Sequence, residues 1–199
     1  MAESELAVTP GSGLNLRTDT KTIGGNTRHQ QHMLQGDASR PTYTATATAI
    51  SCATGTKHLM IIQGDGSNYT RIHRIYIATR GAGTAGVLDI RVLRTSTAGT
   101  GGTTVNARPF DSADTDPYGG VCMTLPTANG TEGNQLLQRP IPTYAATGSV
   151  GSTEWRADDK SKPIILGTST ANGICLKLVT GIASITVDIE VEFTVTTFL

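Results

Sequence analysis

Residues 185–196 read Ile-Thr-Val-Asp-Ile-Glu-Val-Glu-Phe-Thr-Val-Thr, an unbroken alternation of apolar and polar side chains. Successive side chains of a strand point to opposite faces. Ile185, Val187, Ile189, Val191, Phe193 and Val195 therefore share one face, and Thr186, Asp188, Glu190, Glu192, Thr194 and Thr196 the other. A strand that is dry on one side and wet on the other belongs to an antiparallel sheet, because parallel sheets are covered on both faces and read as continuous apolar runs.

The same period recurs upstream. In Gly173–Val179, Ile174, Leu176 and Leu178 alternate with Cys175, Lys177 and Val179; in Val87–Thr95, Leu88, Ile90 and Val92 alternate with Asp89, Arg91 and Leu93. Tyr43–Ile50 alternates Thr with Ala inside a stretch that is uncharged from Pro41 to Thr56, which describes a strand with a closely packing small-residue face. His58–Gln63, the turn string Gly64-Asp65-Gly66-Ser67-Asn68 and Arg71–Thr79 read as a hairpin. Pro163–Leu166 is a further short strand. Gly and Thr together exceed a quarter of the 199 residues, and they favour turns and strands respectively. About eight strands with almost no amphipathic helix between them predict an all-β chain: an antiparallel β-sandwich, jelly-roll-like. Between Pro109 and Ser152 the pattern lapses, with short candidate strands at Val121–Leu125 and around Leu136, and long loops at one end of the sandwich are expected there.

Residues 1–41 lack any sustained period and carry the turn-rich strings PGSG and IGGN, so the expected division is an extended N-terminal arm over 1–41 and a sandwich domain over 42–199. A short helix over Arg28–Leu34 is compatible with the pattern. Leu14, Leu16 and Ile23 are the apolar side chains placed to pin the arm to a partner surface. Ordering such an arm costs about 1–2 kcal/mol of backbone entropy per residue, so it becomes fixed when another chain supplies contacts.

Sixteen Lys and Arg balance sixteen Asp and Glu, which argues against direct coating of nucleic acid or of an anionic membrane. The longest wholly apolar run, Leu59–Ile62, is far short of a bilayer span. The opening MAESELAVTP lacks the basic-then-apolar order of a secretory signal, so export by that route is not expected. Charge is nevertheless patterned. Residues 57–108 carry seven bases (Lys57, Arg71, Arg74, Arg80, Arg91, Arg94 and Arg108) against Asp65 and Asp89, while 111–138 carry Asp111, Asp114, Asp116 and Glu132 and no base. Two readings stand side by side: opposed patches that steer neighbouring subunits together, or faces neutralised within one subunit.

Each motif with chemistry has a plainer reading that outweighs it. Gly81-Ala-Gly-Thr-Ala-Gly86 satisfies G-x-G-x-x-G, but the segment after it has period two, and without a helix no dipole end awaits a pyrophosphate; a glycine-rich hairpin loop is expected. His29 and His32 are spaced for a metal, yet no further ligand stands nearby, and His58 and His73 fall in candidate strands. Asp111, Asp114 and Asp116 are spaced for calcium but lack the glycine and distal Glu of an EF-hand loop. Cys52, Cys122 and Cys175, 70 and 53 residues apart, fit buried reduced thiols. Glu154 with Asp158 and Asp159 gives only a local hint of glycosidase carboxylates, and no G-x-S-x-G or recognisable cysteine nucleophile is present. The sequons at Asn68 and Asn129 read as turns. No catalytic, cofactor or metal residue is assigned, and the expectation is a protein that is not an enzyme.

The arm VTPGSGLNLRTDTKTIGGNT (8–27) resembles the openings of structural proteins of tailed bacteriophages. RIHRIYIATRGAG, VLDIRVLRTSTAGTGGT, FDSADTDP, KPIILG and ITVDIEVEFTV are similar to β-sandwich virion proteins that coat a phage head or sit on its tail. The resemblance implies a virion component, often a homotrimer, with an arm reaching onto a neighbour and no catalytic residues to carry over. The expected function is a capsid decoration (cement) protein on the outer surface of the virion, synthesised in the bacterial host cytoplasm. Its partners would be the major capsid protein and sister subunits. The alternative is a tail or baseplate module that binds glycans through loops in 110–160, where Tyr118, Tyr144 and Trp155 would stack on sugar rings. A soluble enzyme or carbohydrate-binding module is the third reading.

Overall fold

The computed structural model describes residues 18–23, 26–31, 40–53, 55–81, 83–145, 150–158 and 161–197. The chain divides into two compact units, 1–39 and 40–199. In the first, strands β1 (Thr18–Ile23) and β2 (Asn26–Gln31) form a two-stranded antiparallel sheet in which Ile23 is opposite Asn26 and Thr18 opposite Gln31. Arg28–Gln31 thus belong to a strand, which corrects the helix expected over 28–34. A helix of seven residues is too short to repay its own nucleation, whereas Thr18–Ile23 supplies main-chain partners directly.

The second unit holds β3 (Thr42–Ser51), β4 (Lys57–Gln63), β5 (Tyr69–Arg80), β6 (Gly86–Thr95), β7 (Thr103–Thr104), β8 (Arg108–Pro109), β9 (Cys122–Thr124), β10 (Glu132–Thr143), β11 (Ser152–Arg156), β12 (Ile164–Leu166), β13 (Gly173–Thr180) and β14 (Thr186–Thr196). They form two antiparallel sheets, one ordered β11-β5-β14-β3-β8 with β12 also on β5, the other β10-β6-β13-β4-β9-β7. The sheets pack face to face as a β-sandwich, and the described residues contain no helix. Pairing is nested. β3 pairs with β14, β4 with β13, β5 with β11 and β12, and β6 with β10, so the first half of the unit meets the second half in reverse order.

The decisive segment behaves as its alternation requires. Val187, Ile189, Val191 and Phe193 are buried, while Asp188, Glu190 and Glu192 lie on the outer face. Val195 is only partly buried and packs against the core. Opposing apolar rows come from Ile174, Leu176 and Leu178 of β13 and from Leu88, Ile90 and Val92 of β6. At the centre, Phe193 stacks on Tyr43 (ring centroids 5.7 Å) and meets the Tyr118 edge (4.9 Å). The Tyr118 hydroxyl donates to Gln63 O (3.0 Å) and accepts from Thr70 Oγ1 (2.6 Å), so a buried phenol is satisfied.

Two expected hairpins are crossovers instead. β4 and β5 lie in different sheets, as do β5 and β6. The turn residues reverse the chain as anticipated, but in a sandwich the strand after a turn can pass to the opposite sheet. In the first of these turns Asp65 Oδ1 accepts from Ser67 N (2.8 Å) and Asn68 N (2.7 Å), and Gly66 takes φ +88°, which a side chain would disfavour.

Between Pro109 and Ser152 the two candidate strands are present as β9 and as β10, which at twelve residues is longer than expected. The preceding loop covers part of a sheet face. Gly99 lies on the outer face of the β13 sheet, where a Cβ would stand 2.5 Å from Ile61 Cδ1, and Gln63 Nε2 donates to Thr97 O (3.4 Å). Ile61, Leu93 and Cys175 form a second buried cluster there, with Met123 packed against it. This is why β4, with its apolar run Leu59–Ile62, is buried nearly throughout. Edge strand β10 carries Pro140 and Pro142, which have no N–H to offer a neighbour.

Phe193→Ala should lower unfolding free energy by about 3–5 kcal/mol, and Tyr118→Phe, which leaves Gln63 O and Thr70 short of a partner, by about 1–3 kcal/mol. Urea denaturation of both variants measures this.

Candidate functional site

The outer face of the β14 sheet carries a charge network centred on Arg74. Its Nε donates to Glu154 Oε1 of β11 (2.6 Å), and its Nη1 donates to Glu190 (2.5 Å) and Glu192 (2.6 Å) of β14. The guanidinium also lies 5.3 Å from the Tyr76 ring centroid. These partners meet because the register puts Glu192 opposite Arg74, and both Glu190 and Glu154 opposite Tyr76. The hydrogen bond from Arg74 holds the Glu154 carboxyl below the ordinary glutamate range. A glycosidase acid needs the opposite, a carboxyl that keeps its proton.

Other bases of the 57–108 stretch are likewise paired within the chain. Arg80 binds Asp188 (2.5 Å), Arg91 binds Asp89 (2.9 Å), Arg108 binds Asp116 (2.7 Å), and Arg94 donates to Ile165 O (2.6 Å). Neutralisation within one subunit therefore accounts for Arg74, Arg80, Arg91 and Arg108, while Arg94 is held by a carbonyl. Among the described residues, Asp111 and Asp114 on the acidic side and Arg71 and Arg94 on the basic side form no ion pair, and the opposed-patch reading is left to these.

A second polar cluster sits on the outer face of the other sheet. His58, 1 % exposed, places Nε2 2.9 Å from Glu132 Oε1 and 3.5 Å from Cys175 Sγ, and Lys177 Nζ donates to Glu132 Oε2 (2.6 Å). The set contains a thiol, an imidazole and a carboxylate, but both neighbours use the same ring nitrogen, and Nδ1 is buried without a partner. A nucleophile–base–acid relay needs one partner on each nitrogen. Burial also pushes the Cys175 thiol up to about 12, away from the thiolate a nucleophile requires. The cluster ties β4, β13 and the start of β10 together.

The remaining predicted residues are dispersed. Leu14 and Leu16 lie outside the described residues, and Ile23 closes β1. His29 is in β2, while His32 is outside the described residues. Gly81 and Gly86 flank the crossover from β5 to β6, and a strand follows, as its period required. Asp111 Oδ1 caps Ala113 N (2.9 Å), Asp116 is taken by Arg108, and no three His, Cys, Asp or Glu side chains among the described residues converge to hold a metal. Tyr118 is buried in the core and unavailable to a sugar, which corrects its assignment as a stacking residue. Trp155 is half-buried against the core, and Tyr144 is 44 % exposed. Cys52, Cys122 and Cys175 are free and buried, as anticipated.

Sequence reasoning missed the Arg74 hub and the His58 cluster. The first had a signal: Asp188, Glu190 and Glu192 on one strand face require a neighbouring strand rich in bases. The second had none, because its members are separated by up to 119 residues. The chain matches no protein-family model, no curated protein and no solved structure.

The hydrogen bond from Lys177 keeps the Glu132 carboxyl below its ordinary value of 4.5, against an opposing desolvation and with further help from His58. A depressed folded-state value stabilises above the unfolded value and is lost as pH falls through the folded one. The thermal midpoint of the wild type should fall between pH 5 and about pH 3, and Glu132→Gln should flatten that slope while lowering the midpoint at pH 7. Calorimetry across the range checks both.

Proposed function

We propose that this chain is a structural component of a tailed-phage virion, a decoration protein that coats the outside of the head and bridges neighbouring capsid subunits. The observation that carries the proposal is the nested strand order: β3, β4, β5 and β6 pair in reverse with the strands from β14 back to β10. That order supports reading the sandwich as a jelly roll, two Greek keys rolled together, an architecture used by viral capsid and lectin domains. A separate leading unit before the sandwich supports the reading, since a short two-stranded sheet is marginal alone and gains stability from a neighbour. The internally paired charges of the β14 sheet suit a subunit that packs laterally among identical copies.

The mechanism is mechanical. Each copy contributes weak contacts to several neighbours, and after the first forms the rest are effectively intramolecular, so avidity offsets outward pressure on the shell. A closed homotrimer with the major capsid protein beneath it is the expected assembly. The tail or baseplate reading is weakened by the burial of Tyr118, which leaves Tyr144 and half-buried Trp155 for sugar stacking.

Deleting residues 1–30 should leave the sandwich folded, because its core lies wholly within 40–199, and abolish occupancy on heads assembled without this protein. Electron micrographs of reconstituted heads read the occupancy. Undiminished density on the capsid surface would defeat the assignment.

A further inference from the structure

Two segments lie over the apolar patch of Ile61, Leu93 and Cys175 on the outer face of the β13 sheet: residues 96–102, which link β6 to β7, and residues 127–132, which lead into β10. The two are bound to each other. Ser96 N donates to Thr131 O (3.0 Å), Thr100 N to Ala128 O (2.9 Å), Ala128 N to Thr100 O (3.1 Å) and Thr131 N to Thr97 Oγ1 (2.7 Å). They therefore behave as one cover, continuous at its ends with β6, β7 and β10.

Polar ties from the cover to the sheet beneath are few. Beyond the ladder pairing of Glu132 with Thr95, those among the described residues are Gln63 Nε2 to Thr97 O, long at 3.4 Å, and the Glu132 carboxylate, held by Lys177 Nζ (2.6 Å) and His58 Nε2 (2.9 Å). Glu132 is also the one charged residue in either segment. Three polar atoms on this face are buried and make no hydrogen bond among the described residues: His58 Nδ1, Gln63 Oε1 and Thr95 Oγ1. Gln63 and Thr95 flank Gly173, where a Cβ would stand 2.7 Å from Thr95 Oγ1 and 3.0 Å from Gln63 Cγ, so both lie on the covered side. Each such atom is a desolvation cost that closure imposes and that opening to water relieves.

The groups that face the Glu132 carboxylate are His58 from β4 and Lys177 with the Cys175 thiol from β13. On β6, Asp89 and Arg91 pair with each other (2.9 Å) and Arg94 donates to Ile165 O, while Lys57 of β4 alternates to the opposite face. No second carboxylate among the described residues binds His58 or Lys177. Lys177 holds the Glu132 carboxyl below the ordinary glutamate range, so the tie is charged at neutral pH and is lost as pH falls through the folded-state value. A proton on Glu132 leaves the Lys177 ammonium without its counter-charge at the rim of an apolar patch.

We propose that residues 96–102 and 127–132 form an acid-released flap: a proton on Glu132 undoes its tie to His58 and Lys177, and the flap lifts from Ile61, Leu93 and Cys175 while the core between the sheets stays closed. Cys175 stands opposite Ile61 on one side and Leu93 on the other, so the surface concealed at neutral pH and presented in acid is a continuous apolar strip across β4, β13 and β6. Local opening of this kind needs only the contacts of the flap to fail, not those of the fold.

The three cysteines report it, because Cys175 lies in the outer patch whereas Cys52 and Cys122 lie in the core between the sheets. The full chain is treated with 4,4′-dithiodipyridine, which reacts with thiols in acid, at neutral pH and at about pH 3.5. Peptide mass spectrometry reads each site, relative to the urea-unfolded chain at the same pH. Cys175 should be labelled faster in acid by about tenfold or more, with Cys52 and Cys122 unchanged. Glu132→Gln should show the fast rate already at neutral pH and lose the pH dependence. If that variant fails to fold, Lys177→Gln, which removes the bond that lowers the Glu132 carboxyl, should move the transition to higher pH. Cys175 labelled in step with Cys52 and Cys122, labelling of Cys175 that does not change between neutral and acid, or a Lys177→Gln transition at the wild-type pH overturns the proposal.

Discussion

Everything in the body hangs on the position of β14. It lies between β3 and β5, so one strand supplies hydrogen bonds to both neighbours while its apolar face supplies the centre of the core. Val187, Ile189, Val191 and Phe193 are withdrawn from water, each worth about 1.5–3 kcal/mol. The same strand sends Asp188, Glu190 and Glu192 outward, and these organise Arg74 and Arg80 of β5. A single run of alternating residues thus fixes the core on one side and the electrostatics of the surface on the other.

The second sheet solves a different problem. Its outer face is apolar in the middle, at Ile61, Leu93 and Cys175, and loops cover it in place of water. Close approach explains the glycines of TAGTGG: at Gly99 a side chain would collide with Ile61, and Gly101 takes φ +74° beside Thr127. Near this covered patch, His58, Glu132 and Lys177 form a polar tie across three parts of the sheet. The sandwich consequently has one open, ion-laced face and one covered face.

Legibility in the sequence followed the range of the physics involved. The alternation in 185–196 gave strand, burial and the wet face together, because period and burial are local properties of one segment. The all-β architecture followed from the recurrence of that pattern. Partner choice was not local: Asp65 and Gly66 make the expected turn, but no nearby residue specifies that β5 crosses to the other sheet. The β1–β2 hairpin escaped notice although Gly24-Gly25 stands between its strands, since neither strand carries the apolar alternation that marks burial. Tyr118 was misjudged for a related reason. A tyrosine in a Gly- and Pro-rich stretch looks exposed until the cavity between Tyr43 and Phe193 is known.

The placement of β14 bears on how the molecule is made. Translation delivers β3 and β5 long before residues 186–196 emerge, so during synthesis those two strands have no central partner and the sheet they belong to does not exist. A nascent chain in that condition displays uncovered Ile72, Ile75 and Ile77 beside the uncharged run of β3. Closure is therefore a late, long-range event of the kind that folds slowly, and the interval before it is when the cell's chaperones have most to shield.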